Sequence, residues 1–152
     1  MPNLTEKQRL IVVGLLENDE GFRSIAYDDA TGEPVKAPQG NLTIGIGRNL
    51  QDYKITHHEA IYLCLNNIRN CENVLGDLLF FNFLDFPRKY VLINVCFNVG
   101  LSGIMRFKKM LKAMHNRDWQ EASKELLDSN AARKLPNRYD QLAKIMISGV
   151  LK

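Results

Sequence analysis

Long apolar runs are missing from this chain. The longest early one, Ile11-Val12-Val13-Gly14-Leu15-Leu16, falls far short of the roughly 18–20 residues that a membrane span needs. It follows a charged segment, and no small-residue cleavage site comes after it. No signal peptide and no stable membrane insertion are therefore expected, and the chain is expected to start in a cytoplasm. Cysteine is scarce as well. Cys64, Cys71 and Cys96 are an odd number, none forms a C-x-x-C motif, and each sits in an apolar helical pattern. That excludes a disulfide framework and fits buried free thiols in a reducing compartment. His57, His58 and His115 lack ligand spacing to the cysteines, so no zinc site, no other metal and no cofactor are expected. Internal repeats and low-complexity tracts are also absent.

What is present suits one soluble domain: 152 residues, 45% hydrophobic and 24% charged, enough to bury a real core. The net charge of +3 is unevenly spread. Residues 1–102 carry 9 Lys and Arg against 12 Asp and Glu, whereas residues 103–152 carry 11 against 5. A basic second half suits an anionic polymer such as nucleic acid, a membrane surface or cell wall. A solvated basic face explains so small an excess equally well. No helix-turn-helix or aromatic stacking signature supports nucleic acid, and no nucleic-acid partner is expected.

The periodicity predicts a fold of the α+β class, mainly helical. Thr5-x-x-Gln8 reads as a capping box opening a helix whose apolar face is Ile11, Val12, Leu15 and Leu16, with Gly21 as its stop. Residues 23–27 and 42–46 read as two short strands, joined by a Gly- and Pro-rich connection longer than an ordinary hairpin loop. The rest is helical. Thr56-x-x-Glu59 caps a helix ending at Gly76, and Pro87 suits the first turn of a helix that runs to Gly100. A short amphipathic helix covers about 104–114, Asp118-x-x-Glu121 caps another through Leu127, and Pro136 opens the last, which ends near Gly149. The expected organisation is one domain with a small β lobe over about residues 20–56. A connecting helix follows over about 57–76. Residues 77–152, with the first helix, form a larger helical lobe, and a cleft lies between the lobes.

The stretch Asp19-Glu20-Gly21-Phe22-Arg23-Ser24-Ile25-Ala26-Tyr27-Asp28-Asp29 places carboxylates at both ends of a short connection. Glu20 falls at the end of the first helix and Asp29 at the end of the first strand. If the connection folds back, both face the groove. Two carboxyl groups several ångströms apart are what glycosidic cleavage requires, one protonated and donating to the leaving oxygen, the other ionised and handling water or positive charge. The negative end of a helix and an apolar wall disfavour charge, which assigns Glu20 as the acid and Asp29 as the carboxylate. Thr43, in Thr43-Ile44-Gly45-Ile46-Gly47, can hydrogen-bond a water, and the two glycines let a polymer approach the backbone. Taken singly, acids at helix ends are more often just solvated, Thr43 a plain strand residue and the glycines a bulge.

Together these motifs resemble the phage lysozyme family, glycoside hydrolase family 24. The likeness runs from Asp19-Glu20-Gly21 through Tyr27-Asp28-Asp29 and Thr43 to Gly47. It continues at Ile55-Thr56, Glu59-Ala60, Phe97-Asn98-Val99-Gly100, Phe107, Trp119 and Glu121-Ala122, and ends at Pro136-Asn137-Arg138. The resemblance implies a lysozyme-like fold and a muramidase acting on the β-1,4 bond between N-acetylmuramic acid and N-acetylglucosamine, mainly with inversion. It implies Glu20 as catalytic acid, with Asp29 and Thr43 positioning the water. Arg138 matches an arginine beside the catalytic glutamate, its alternative being a surface charge of the last helix. Phe97, Asn98 and Asn49 match substrate-contacting positions; core packing for Phe97 and helix or loop surface for the other two are the alternatives. As a phage endolysin, the protein would be a monomer made in the host cytoplasm, needing a holin to reach the peptidoglycan glycan strands. A non-catalytic wall-binding module is the competing reading.

Several positions depart from the family. Thirteen residues separate Asp29 from Thr43, a longer loop than usual. Arg48 replaces the usual histidine, and the position of its acidic partner reads Asn67. Arg48 is therefore expected to reach Asp28 or face solvent. Asn130 replaces a cleft arginine.

Overall fold

The computed structural model describes residues 4–28, 31–35 and 40–151. The first helix, α1, spans Glu6–Glu20. Its capping box forms as expected: the Thr5 hydroxyl accepts from the Gln8 N–H at 3.2 Å, and Gln8 Oε1 accepts from the Thr5 N–H at 2.9 Å. Val12, Val13 and Leu16 are its buried residues, each stabilising by about 1.5–3 kcal/mol. Gly21, at φ 73, stops it in a conformation that other residues rarely adopt.

Among the described residues, the segment that follows is nearly without sheet. The strand expected over residues 23–27 does not form; only an isolated bridge pairs Tyr27 with Pro34. Two flanking bonds, Val35 N–H to Ala26 O and Asp28 N–H to Glu33 O, make this pair, a position at which the N–H that proline lacks is not needed. The second expected strand shrinks to β1, Thr43–Ile44, because Gly45 turns at φ 60. It pairs antiparallel with β2, Arg48–Asn49, in the register Thr43 opposite Asn49.

Arg48 corrects another expectation. It neither faces solvent nor pairs with Asp28: its Nη1 lies 2.6 Å from Glu59 Oε1, and its other nitrogens donate to the Tyr53 and Lys54 carbonyls. Glu59 is the capping-box residue of α2, His57–Gly76. Hydrogen bonds from Thr56, with Arg48 added, hold its carboxyl below the usual range. Arg48 thus ties the hairpin to the start of α2.

The helical body closes around α3, Phe86–Val99, with Pro87 in its first turn and every residue from Arg88 to Cys96 buried. A 3₁₀ turn over Leu79–Phe83 leads into it, and Phe81 enters the core. The single helix expected over 104–114 is two: α4, Leu101–Ile104, and α5, Lys108–His115. On one continuous helix Ile104 and Met110 would point about 120° apart; the break lets both reach the core. Then come α6, Trp119–Leu127, capped by Asp118 as expected, and α7, Asn130–Lys134, too short for any periodicity. The last helix, α8, spans Pro136–Ser148.

Arg88 pins α8 to α3. Its Nε donates to Met146 O at 2.9 Å, its Nη2 to Ile147 O at 3.0 Å, and its guanidinium stacks 4.1 Å over Trp119. Gly149 caps α8 at φ 66, and an added Cβ would stand 2.6 Å from Arg88 Nη1. Gly149→Ala combines left-handed strain with displacement of that guanidinium. It is expected to lower stability by about 2 kcal/mol, read as a lower urea midpoint; an unchanged midpoint would mean that neither the left-handed backbone nor the Arg88 contact constrains this position.

Candidate functional site

Four elements meet at Glu20. It is the last residue of α1, where the next turn is released by Gly21, so its side chain projects from the helix end rather than along its face. Its Oε1 accepts from Arg138 Nη1 at 2.5 Å. Arg138, in the first turn of α8, is anchored in turn: Nε donates to Asn94 Oδ1 at 2.8 Å and lies 3.6 Å from Asp19 Oδ2. Asn94, fully buried on α3, donates to Asp19 Oδ2 and to the Tyr90 hydroxyl, each at 2.9 Å. Burial pushes the Tyr90 phenol up to about 12, so it remains a neutral partner. The Arg138 side chain is only 9% exposed, whereas that of Glu20 is 42% exposed. A buried, multiply bonded cation thus holds an accessible carboxylate at a fixed place.

Beside Glu20 lies a hollow of about 460 Å³, bounded by α1, α2, the end of α3 and the turn carrying Phe22 and Tyr27. Leu16, Phe22, Ile61 and Phe97 supply apolar wall; Glu17, Glu20, His57 and Asn98 supply polar groups. His57 Nε2 lies 2.6 Å from Glu17 Oε1, and its ring meets Phe22 edge-on at 5.2 Å. These contacts fix the first turn of α2 against α1. Cys64 also faces this hollow, where burial, then Glu17 and Glu20, push its thiol up. A larger hollow of about 1200 Å³ lies beyond Asn98, with Arg106, Lys108, Lys109 and Lys134 among its walls. A hollow that sets apolar side chains beside carboxyl, imidazole and amide groups suits the face and oxygens of a sugar.

Of the residues that the sequence singled out, Glu20, Phe97 and Asn98 line the same hollow, and Arg138 grips Glu20. Thr43 and Asn49 stand together as a cross-strand pair but do not line it. The Thr43 hydroxyl donates to Asn41 O at 3.3 Å, and Asn49 uses both ends of its amide within its own loop, toward Gln51 and Asp52. Asp29 lies outside the described residues. Sequence reasoning missed Asn94, Tyr90 and Tyr139. The signal was there for Asn94: an amide four residues from Tyr90 and from Asn98 inside an otherwise apolar helix demands a buried partner. Cys71 and Cys96 are buried and Cys64 half-buried, all three as free thiols. Among the described residues, no three His, Cys, Asp or Glu side chains stand close enough to hold a metal ion, and no helix is long and apolar enough to cross a membrane.

The sequence matches the family described as "Phage lysozyme" over residues 17–142. It is 28% identical to "Probable T4-type lysozyme 2" of Dictyostelium discoideum over 169 aligned residues, covering 91% of this chain and 94% of that one. Identity to "Probable T4-type lysozyme 1" of the same organism is 34% over 68 residues, 45% of this chain and 40% of that one. "Pre-baseplate central spike protein Gp5" of Enterobacteria phage T4 is 26% identical over 161 residues, covering 91% of this chain but 28% of that longer protein.

Proposed function

Because the chain belongs to the phage lysozyme family, we propose that it is a muramidase that hydrolyses the β-1,4 bond between N-acetylmuramic acid and N-acetylglucosamine in peptidoglycan. The observation that carries this reading is Glu20, held at 2.5 Å by Arg138 at the edge of a sugar-sized hollow. In the proposed reaction a protonated Glu20 gives its proton to the glycosidic oxygen as the C1–O bond breaks. Water attacks C1 from the opposite face; Asp29 and Thr43 orient it, and the Asp29 carboxylate takes its proton. Phe97 offers an apolar face to a sugar ring, and Arg138 keeps Glu20 from swinging away.

The test is digestion of purified sacculi followed by detection of released muropeptides with N-acetylmuramic acid at the reducing end. Inversion converts the β-linkage into an α-anomer, so proton NMR of the first-formed product is expected to show α. Thr43→Ala is expected to slow turnover roughly 10- to 100-fold by misplacing the water; full activity would remove Thr43 from the mechanism. One observation favours the competing reading of a module that binds wall polymer without cutting it: Thr43 does not line the hollow. Retention on sacculi with no reducing ends released would establish that reading instead.

The same proposal extends to biology. The protein would act as a phage endolysin, a monomer made in the host cytoplasm, and reach the wall through a holin. Inducing it alone in a bacterial host should leave the culture intact until the inner membrane is permeabilised.

A further inference from the structure

Asn98 is the residue that the two large hollows share: it lines both the one at Glu20 and the larger one beyond it. A ligand that fills both hollows would therefore touch Asn98. That amide has an accepting and a donating end, and its orientation decides which chemistry it recognises. The Tyr139 hydroxyl, from α8, donates to Asn98 Oδ1 at 2.9 Å. Tyr139 is fully buried, and burial pushes its phenol up to about 12, so it keeps its proton throughout the neutral range. A buried hydroxyl must place that proton on an acceptor, and Oδ1 fills this need. That bond takes one lone pair of Oδ1 and fixes which way the Asn98 amide faces, with Nδ2 turned away from Tyr139. Its Nδ2 makes no hydrogen bond among the described residues, yet it is not among the buried unpartnered atoms, so it meets solvent.

We infer that Tyr139 is a positioning residue that fixes Asn98 as a hydrogen-bond donor at the junction of the two hollows, selecting a substrate carbonyl there. This rests on the muramidase reading. In peptidoglycan such carbonyls occur in the acetamido groups of the sugars and in the amides of the stem peptide.

The experiment compares wild type, Tyr139→Phe, Asn98→Ala and the double variant on purified peptidoglycan. Tyr139→Phe keeps the ring, and so the packing, and removes only the donor. It is expected to raise KM about 5- to 10-fold with little change in kcat. In the Asn98→Ala background the same substitution is expected to leave KM unchanged, because there is no amide left to orient. A merely structural tyrosine would shift the melting temperature and leave KM alone, or raise KM equally in both backgrounds; either result overturns the inference. The source of the carbonyl is read by two further polymers. The penalty disappears on de-N-acetylated glycan if the group is acetamido, and on peptide-free glycan if it belongs to the stem. A penalty that persists on both overturns the assignment. If wild type cleaves nothing, the muramidase reading fails by itself. The same comparison is then made as binding isotherms on sacculi, where equal affinity of wild type and Tyr139→Phe would refute the positioning role.

Discussion

Replacing Glu20 by glutamine is expected to lower kcat on peptidoglycan by about 10³-fold, within the 10²–10⁴ range of general acid catalysis, with KM nearly unchanged. Glutamine preserves the length and shape of the side chain and can still accept from Arg138. It has no proton acid enough to leave with the glycosidic oxygen. A drop of that size corresponds to about 4 kcal/mol of transition-state stabilisation, far more than the exposed end of one ion pair contributes to folding. Arg138 keeps Asn94 and Asp19 as partners when the Glu20 charge is gone. The melting temperature is therefore expected to stay within a few degrees of wild type, which separates lost chemistry from lost structure. The assay is turbidity clearing or a zymogram, backed by initial rates of reducing-end release. Retention of full activity by Glu20→Gln would remove this carboxyl from the acid role and leave the hollow a binding feature.

The second large effect concerns stability. Glu72 on α2 is 2% exposed, and its carboxylate accepts from the Leu4 N–H at 2.8 Å and from Arg9 Nε at 2.7 Å. Glu72 is the first cause raising Arg9 above its ordinary value, and it partly offsets the burial that lowers Lys89. Glu72→Ala leaves the Arg9 side chain, only 12% exposed, with Glu6 at the surface as its remaining carboxylate. It also removes the acceptor of the buried Leu4 N–H and takes the Glu72 field from a second buried cation, Lys89. The expected cost is about 3–5 kcal/mol, a fall in melting temperature of roughly 10 °C for a chain of this size. Arg9→Met combined with Glu72→Met is expected to recover much of the loss, since a buried pair replaced by apolar groups of similar volume is often neutral. A melting temperature that drops by less than about 3 °C in Glu72→Ala would mean that water reaches Arg9 and solvates it. The pair joins α1 to α2, so its loss loosens the helix that carries Glu20.

The helix ends show what is readable locally. Thr5 with Gln8 and Thr56 with Glu59 form capping boxes, Gly21 stops α1, and Pro87 and Pro136 sit in first turns, all as the sequence suggests. Each such interaction spans three or four residues, so spacing alone determines it. The readings that failed were non-local. Residues 23–27 have a β-like composition, yet among the described residues their one pairing is the Tyr27–Pro34 bridge. Arg48 found Glu59 because α2 begins where the hairpin returns, which no spacing around Arg48 reveals. The break between α4 and α5 follows from which residues the core could admit, not from propensity.

The candidate site divides along the same line. Glu20 was legible because a helix end and a following glycine together define where its side chain emerges, and the motif around it carries the family likeness. Arg138 was legible only through that likeness, because 118 residues separate it from Glu20. Sequence by itself determined the helical class, the family and the ends of α1, α2, α3, α6 and α8, because these rest on short-range hydrogen bonds, on local motifs and on the pattern of apolar residues. Tertiary structure alone decided that Asn94 and Asp19 hold Arg138, that Tyr139 turns the Asn98 amide, and that Arg48 ties the hairpin to α2. These pairings depend on which side chains the packed elements bring within bonding reach of one another. Burial then makes each of them costly to leave unsatisfied.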